Sequence, residues 1–181
     1  MKWFVIVLAG LVALLLIVAL IGALLPQSHV AVRSAQIHKP SGDVWNAVTD
    51  VASAASWRND MERVEMLPPK DGRIAWREVG KHGVVSYEGE LVRAPMPGVP
   101  GRFVSRLTDK SLPYGGEWII DVAIAGDGSI VTVTENGDVY NPFFRFISRF
   151  AMGHTASIDG YLRALGTHFG EQVTPVESVP V

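Results

Sequence analysis

The stretch NPFFRFISRFAMGHTASIDGYLRALGTHFG, residues 141–170, decides the reading of this chain. Its apolar positions are Phe143, Ile147, Phe150, His154, Ile158, Tyr161, Leu165 and Phe169, with spacings of 4, 3, 4, 4, 3, 4 and 4. That period places all of them on one face of a helix, the pattern of a helix laid against a core. Asn141 can cap the first turn, Pro142 fits the position where a missing N–H costs nothing, and Gly170 offers a stop. The sequence predicts one long helix from Asn141–Pro142 to Gly170.

Working back from that helix, the chain alternates every second residue. Trp118, Ile120, Val122 and Ile124 face one way, and Ile119, Asp121 and Ala123 the other. Strands are expected at Met61–Leu67, Arg73–Val79, Val84–Arg93, Arg102–Asp109, Glu117–Ala125 and Ser129–Asn136. The intervening segments are rich in turn residues, among them Pro68–Pro69–Lys70–Asp71–Gly72 and the hairpin signal Asp127–Gly128. Val30–His38 is a further strand. Ser41 or Asp43 can cap a short helix running to about Asp50, and a second short helical piece covers Val51–Trp57. Six consecutive antiparallel-type strands and one long amphipathic helix describe an α+β domain, a curved sheet wrapped around the helix. Such an arrangement tends to leave space between the two layers.

Ahead of this domain, Trp3 to Leu25 carries 23 residues without a charge, 21 apolar and two glycine. As a helix it is roughly 35 Å long, enough to cross a hydrocarbon core of about 30 Å. It is longer than the apolar region of a signal peptide, and no small-x-small site ends it. Residues 1–27 are therefore expected to be a retained transmembrane anchor, residues 28–171 the folded domain and residues 172–181 a disordered tail. Lys2 and the amino terminus precede the run, while Arg33 and Lys39 follow it. The short N-terminus is expected to stay cytoplasmic, with the domain on the outer face.

Composition excludes several classes. Sixteen basic and 18 acidic residues give a net charge of −2, without the basic excess of a nucleic-acid binder. Zero cysteines exclude disulfides, thiolate metal sites and a cysteine nucleophile. There is no phosphate-binding glycine loop, no Gly-x-Ser-x-Gly elbow and no His-Glu-x-x-His helix. The five histidines, His29, His38, His82, His154 and His168, lack ligand spacing. No cofactor and no metal are expected, and no set of polar residues names a reaction.

The order of elements resembles the helix-grip fold of the START-like (SRPBCC) family, which includes polyketide cyclase/dehydrase-type and lipid-transfer proteins. The resemblance spans roughly residues 30–170. It rests on Pro40-x4-Trp45-x4-Asp50, Trp57–Arg58, Gly116–Glu117–Trp118, Thr134–Glu135–Asn136–Gly137, Asn141–Pro142 and Phe144–Arg145–Phe146. It implies a hydrophobic cavity between sheet and helix, and hence a hydrophobic small molecule or a lipid as partner. It does not imply a reaction.

Within that frame His154, Phe150 and Ile158 are expected to line the cavity from the helix, and Trp118 and Trp76 from the sheet. Glu135 shares a face with Val131 and Val133, and is expected to pair with Arg145 where the last strand meets the helix. Two rivals stand beside the binding reading. One is a cyclase- or dehydratase-like enzyme using His154 and a strand glutamate. The other is an interaction scaffold without a pocket.

Overall fold

A computed structural model describes residues 2–81 and 83–181; His82 lies outside the described residues. A helix α1 (Lys2–Leu24) is followed by strand β1 (Ser28–Ile37), helix α2 (Ser41–Thr49) and a 3₁₀ turn (Val51–Ser56). Strands β2 (Arg63–Lys70), β3 (Arg73–Gly80), β4 (Gly83–Arg93), β5 (Gly101–Leu107), β6 (Tyr114–Ala125) and β7 (Gly128–Val139) come next. Helix α3 (Pro142–Ile147), a π-helical turn (Ser148–Met152), helix α4 (Ala156–His168) and a short β8 (Val176–Glu177) complete the chain.

The strands form one curved antiparallel sheet in the order β2-β3-β4-β5-β6-β7-β1-β8. Hairpins join β2 through β7 in sequence. The first strand closes the meander by pairing with the last, from Ser28 opposite Asp138 to Ile37 opposite Ser129. Helices α2 and α4 cover the inner face. Ile37, Val44, Val122, Val131, Val133, Ile158, Leu162 and Leu165 are fully buried between the layers. Each such side chain contributes about 1.5–3 kcal/mol by leaving water. Arg33 of β1 fixes the helix by a two-armed pair with Asp159 of α4, at 2.7 and 3.3 Å. The α+β helix-grip architecture expected from the sequence is the one observed.

Several local expectations are corrected. The long helix is two pieces. Gly153 adopts φ +73°, ψ 168°, which a helix cannot contain, and its N–H donates to the Ser148 carbonyl, five residues back. A glycine takes that conformation without steric cost. The 4/3 apolar period runs through the break, so the sequence pattern does not register it. The expected ends hold: Asn141 accepts the Phe143 N–H at 2.9 Å, Pro142 occupies the first turn, and Gly170, at φ +77°, follows the last turn.

In α2 neither Ser41 nor Asp43 caps the helix; the Pro40 carbonyl accepts the Asp43 and Val44 N–H groups instead. Pro68 and Pro69 belong to β2, not to a turn. This is an edge strand, where proline leaves no neighbour without a donor, and the register shifts between Leu67 and Lys70. The tail is also ordered. Val176 pairs with Ser34 and Glu177 with Arg33, Arg33 donates to the Pro175 carbonyl at 2.8 Å, and Arg102 donates to Val181 at 2.8 Å.

Helix α1 has a mean hydropathy of 3.4 over its most apolar window and is long and apolar enough to cross a membrane. Most of it faces outwards. Within it Val18 and Ala19 are partly shielded and Gly22 is buried; Leu25, just past its end, is also partly shielded. Gly22 meets the Pro142 backbone so closely that any side chain at 22 would collide with the Pro142 carbonyl.

Candidate functional site

Two concave features lie on either side of Trp57, one between sheet and helices and one outside them. The first is a small internal cavity of about 40 Å³. Its walls are Trp76 and Glu78 of β3, Phe103 and Ser105 of β5, Trp118 and Ile120 of β6, and Tyr161 of α4. Val48, Val51, Ala54, Trp57 and Arg58 close it from the α2 side. The aromatic rings pack against one another: Trp57 and Trp118 each meet Tyr161 edge-on at 5.5 Å, and Trp76 stacks on Phe103 at 6.3 Å.

Two charged side chains, Arg58 and Glu78, enter this otherwise apolar wall. The Arg58 guanidinium donates to Glu78 at 3.1 Å and to both oxygens of Asp60, and lies 5.7 Å over the Tyr161 ring. Glu78 also accepts the Trp76 indole N–H at 3.2 Å. Burial works against the Arg58 cation, but the Asp60 bonds and the Glu78 and Asp60 charges outweigh it and raise its pKa. Burial alone would lift the Asp60 carboxyl; its bonds to Arg58 and the guanidinium charge hold it below its usual 3.8. Burial pushes the Tyr161 hydroxyl up, so it stays protonated and can donate. Arg58, paired to Glu78, and the neutral Tyr161 phenol are thus polar groups set in a largely aromatic and aliphatic wall.

The second feature is an external groove of about 320 Å³ between α2, the 3₁₀ turn and the end of α4. Asp43, Asn46, Asp50, Ser53, Ser56 and His168 give it a polar lining, with Ala47 and Trp57 as its apolar part. Trp57 belongs to both the groove and the internal cavity. Its indole is the partition between them, tilted against His168 at 5.8 Å on the outer side.

The residues singled out from the sequence fall in different places. Trp76 and Trp118 face the internal cavity. Ile158 is fully buried but lies outside the cavity wall. Phe150 is 63% exposed, because the helix break turns its segment away from the sheet. His154 faces β1 and stacks on His29 at 4.0 Å between ring centroids.

The expected Glu135–Arg145 pair does not form. Glu135 lies next to His29, whose Nε2 is 3.1 Å from Oε1, and it accepts the Trp118 indole N–H at 2.8 Å and the Ser157 hydroxyl at 3.4 Å. Arg145 spends its donors on backbone oxygens of Val139 (2.7 Å), Tyr140 (2.9 Å) and Leu25 (3.4 Å), and reaches the Gln27 side chain at 3.5 Å. A guanidinium at the start of a helix finds carbonyls of the preceding strand nearer than a carboxylate on its inner face.

Glu78 was not among the inward residues singled out from the sequence. The signal for it was available: Trp76 and Glu78 are two apart on one strand, so an inward Trp76 carries Glu78 inwards.

Among the described residues no cluster of three or more His, Asp or Glu side chains could hold a metal ion. No protein-family model matches the sequence, and no curated protein matches it.

Solved structures do share the arrangement. Norcoclaurine synthase from Thalictrum flavum superposes with a TM-score of 0.59 at 12% identity, over 80% of this chain and 88% of that one. The Zhui aromatase/cyclase from Streptomyces sp. R1128 gives 0.60 at 14% identity, over 78% and 93%. A START superfamily protein from Mycobacterium smegmatis gives 0.57 at 10% identity, over 77% and 96%. At such identities the likeness establishes the fold and leaves the activity open. The domain that follows α1 has the helix-grip fold that these structures share.

Proposed function

We propose that this protein is a membrane-anchored binding domain for a hydrophobic small molecule or a lipid, held between the sheet and α4. The observation that carries the reading is the position of Trp57. As it stands, the internal cavity of about 40 Å³ holds no more than a water or two. Ligand sites are commonly about 300–1,000 Å³. Rotating the Trp57 indole joins the aromatic cavity to the polar groove outside, whose volume is about 320 Å³. The combined site takes an amphipathic guest, its apolar part against Trp76, Trp118 and Phe103 and its polar end beside Arg58 or in the groove.

Helix α1 is the anchor in this reading. The short, positively charged N-terminus stays cytoplasmic and the domain stands on the outer face. Native mass spectrometry of the full-length protein released from detergent, with lipid analysis of what it retains, tests the binding claim. A reproducible apolar adduct is expected on the parent. It should be lost in Ser105→Phe, which fills the cavity from β5, and should exchange faster in Trp57→Ala. No adduct on the parent or on Trp57→Ala would refute the reading and favour a scaffold.

A second reading draws on the His29–Glu135 contact. A histidine bonded to a carboxylate, with a second imidazole stacked on it, is a possible acid–base group. Neither His29 nor Glu135 lines the cavity or the groove described above, which favours binding over catalysis.

A further inference from the structure

We propose that α3 and the π-helical turn after it form a second, shallow membrane contact, seated at the headgroup–acyl boundary of the bilayer that α1 crosses. The inference rests on the anchor reading of α1 and goes beyond it. The motivating geometry is the overlap of the two helices. The shielded residues Val18 and Gly22 fall one helical turn apart on one side of α1, Leu25 follows just past its end, and Gly22 abuts Pro142. These positions lie within the last third of the uncharged run Trp3–Leu25. Seven residues of helix span about 10 Å. A helix packed along that length of a membrane span shares its depth, just inside the polar boundary.

The surface that α3 presents suits that depth. Phe143, Phe144 and Phe150 are exposed at 39, 45 and 63%, an unusual display of phenyl rings for a surface facing water. Tyr140, exposed at 46%, stands at the entrance to the segment, with the amphipathic ring typical of a membrane boundary. Arg149 is exposed and forms no ion pair among the described residues, so its guanidinium is available to lipid phosphate. Arg145 fixes the arrangement. Its bonds to Leu25 and Gln27 on one side and to Val139 and Tyr140 on the other hold the end of α1 against the start of α3. The occupant of this aromatic face is therefore a bilayer with anionic headgroups.

The chain has no cysteine, so a single introduced thiol can report on depth. Full-length protein carrying Leu11→Cys, Phe144→Cys, Phe150→Cys or Asp127→Cys would be labelled with an environment-sensitive fluorophore. Each would be reconstituted into phosphatidylcholine vesicles containing a minority of phosphatidylglycerol. Nitroxides placed at the headgroup or deep in the acyl chain then quench according to depth. The proposal expects strong deep quenching at 11. At 144 and 150 it expects blue-shifted emission with mainly headgroup-level quenching, and at 127 neither. Deep quenching at 11 with water-like emission at 144 and 150 overturns the second contact and leaves the anchor standing. Blue-shifted labels at 144 and 150 that no nitroxide quenches also overturn it, and point to a protein partner. A water-exposed label at 11 overturns the anchor and this proposal together.

Discussion

His29 and His154 stack ring on ring, 4.0 Å between centroids with 29° between planes, and only His29 touches the Glu135 carboxylate. His154 turns its Nδ1 to the Ser148 hydroxyl at 3.2 Å instead. The stack joins the first residues of β1 to the turn between α3 and α4, where the chain is least regular. Burial first, then the charges of His29 and Arg149, hold the His154 imidazole below its ordinary 6.5, with Glu135 pulling the other way.

That shift fixes a direction for pH dependence. Well above 6.5 His154 is neutral in folded and unfolded chains alike, and contributes no slope. As the pH falls below 6.5 the unfolded chain takes the proton first, so stability drops until folded His154 titrates too. The thermal midpoint of the full-length protein should therefore fall between about pH 7.5 and 5.5, and His154→Gln should flatten part of that slope. An unchanged slope in the variant would mean that another group governs the response.

Arg145 and Glu135 should act independently. Removing the Arg145 side chain leaves the Val139 and Tyr140 carbonyls without their guanidinium donor, at a cost of about 1–3 kcal/mol. Glu135→Gln weakens the His29 and Trp118 contacts, which share no partner with Arg145. A double-mutant cycle between them should be additive within about 0.5 kcal/mol. Strong coupling would show that the two side chains meet in solution.

The Arg58–Glu78–Asp60 group predicts unequal losses. Glu78→Ala leaves a mostly buried guanidinium with Asp60 alone and frees the Trp76 indole N–H, so chemical denaturation should show a loss of about 1–3 kcal/mol. Asp60→Ala removes the more exposed partner and should cost less. The reverse order would place the important contact at the surface.

Two glycines of α1 offer a matched comparison. A side chain at Gly10 meets nothing within 4 Å, whereas one at Gly22 strikes Pro142. Gly10→Val should leave proteolysis of the 141–155 segment unchanged, and Gly22→Val should speed it by prying α3 from α1. Equal behaviour of the two variants would disprove a fixed contact between these helices.

Much of this architecture was legible in the residues. Alternation located seven strands to within a few positions at most ends, since a half-buried strand must alternate to cover one face. The length and apolarity of α1 were equally plain. The features that escaped are those set by single torsions or distant partners. Gly153 interrupts the helix through its φ angle, to which a 4/3 apolar count is blind. The tail at Val176–Glu177 has no pattern of its own and is ordered by the free edge of β1. Of the candidate site, Trp76 and Trp118 were found because large aromatics on an inward face have few other places to go. Phe150 was misplaced by the same helix break. Trp57 acquires its meaning only once two cavities are seen on either side of it.

The position of β1 bears on how the domain responds to force. Just three residues separate α1 from a strand held for ten residues against β7, with the tail strand on its other side. A pull transmitted through α1 runs along the axis of β1 and loads its ladder in shear, so the bonds must yield together instead of peeling one by one. The sheet is thus attached through a strand paired along its whole length, and tension along the chain would reach the aromatic interior only after that ladder had given way.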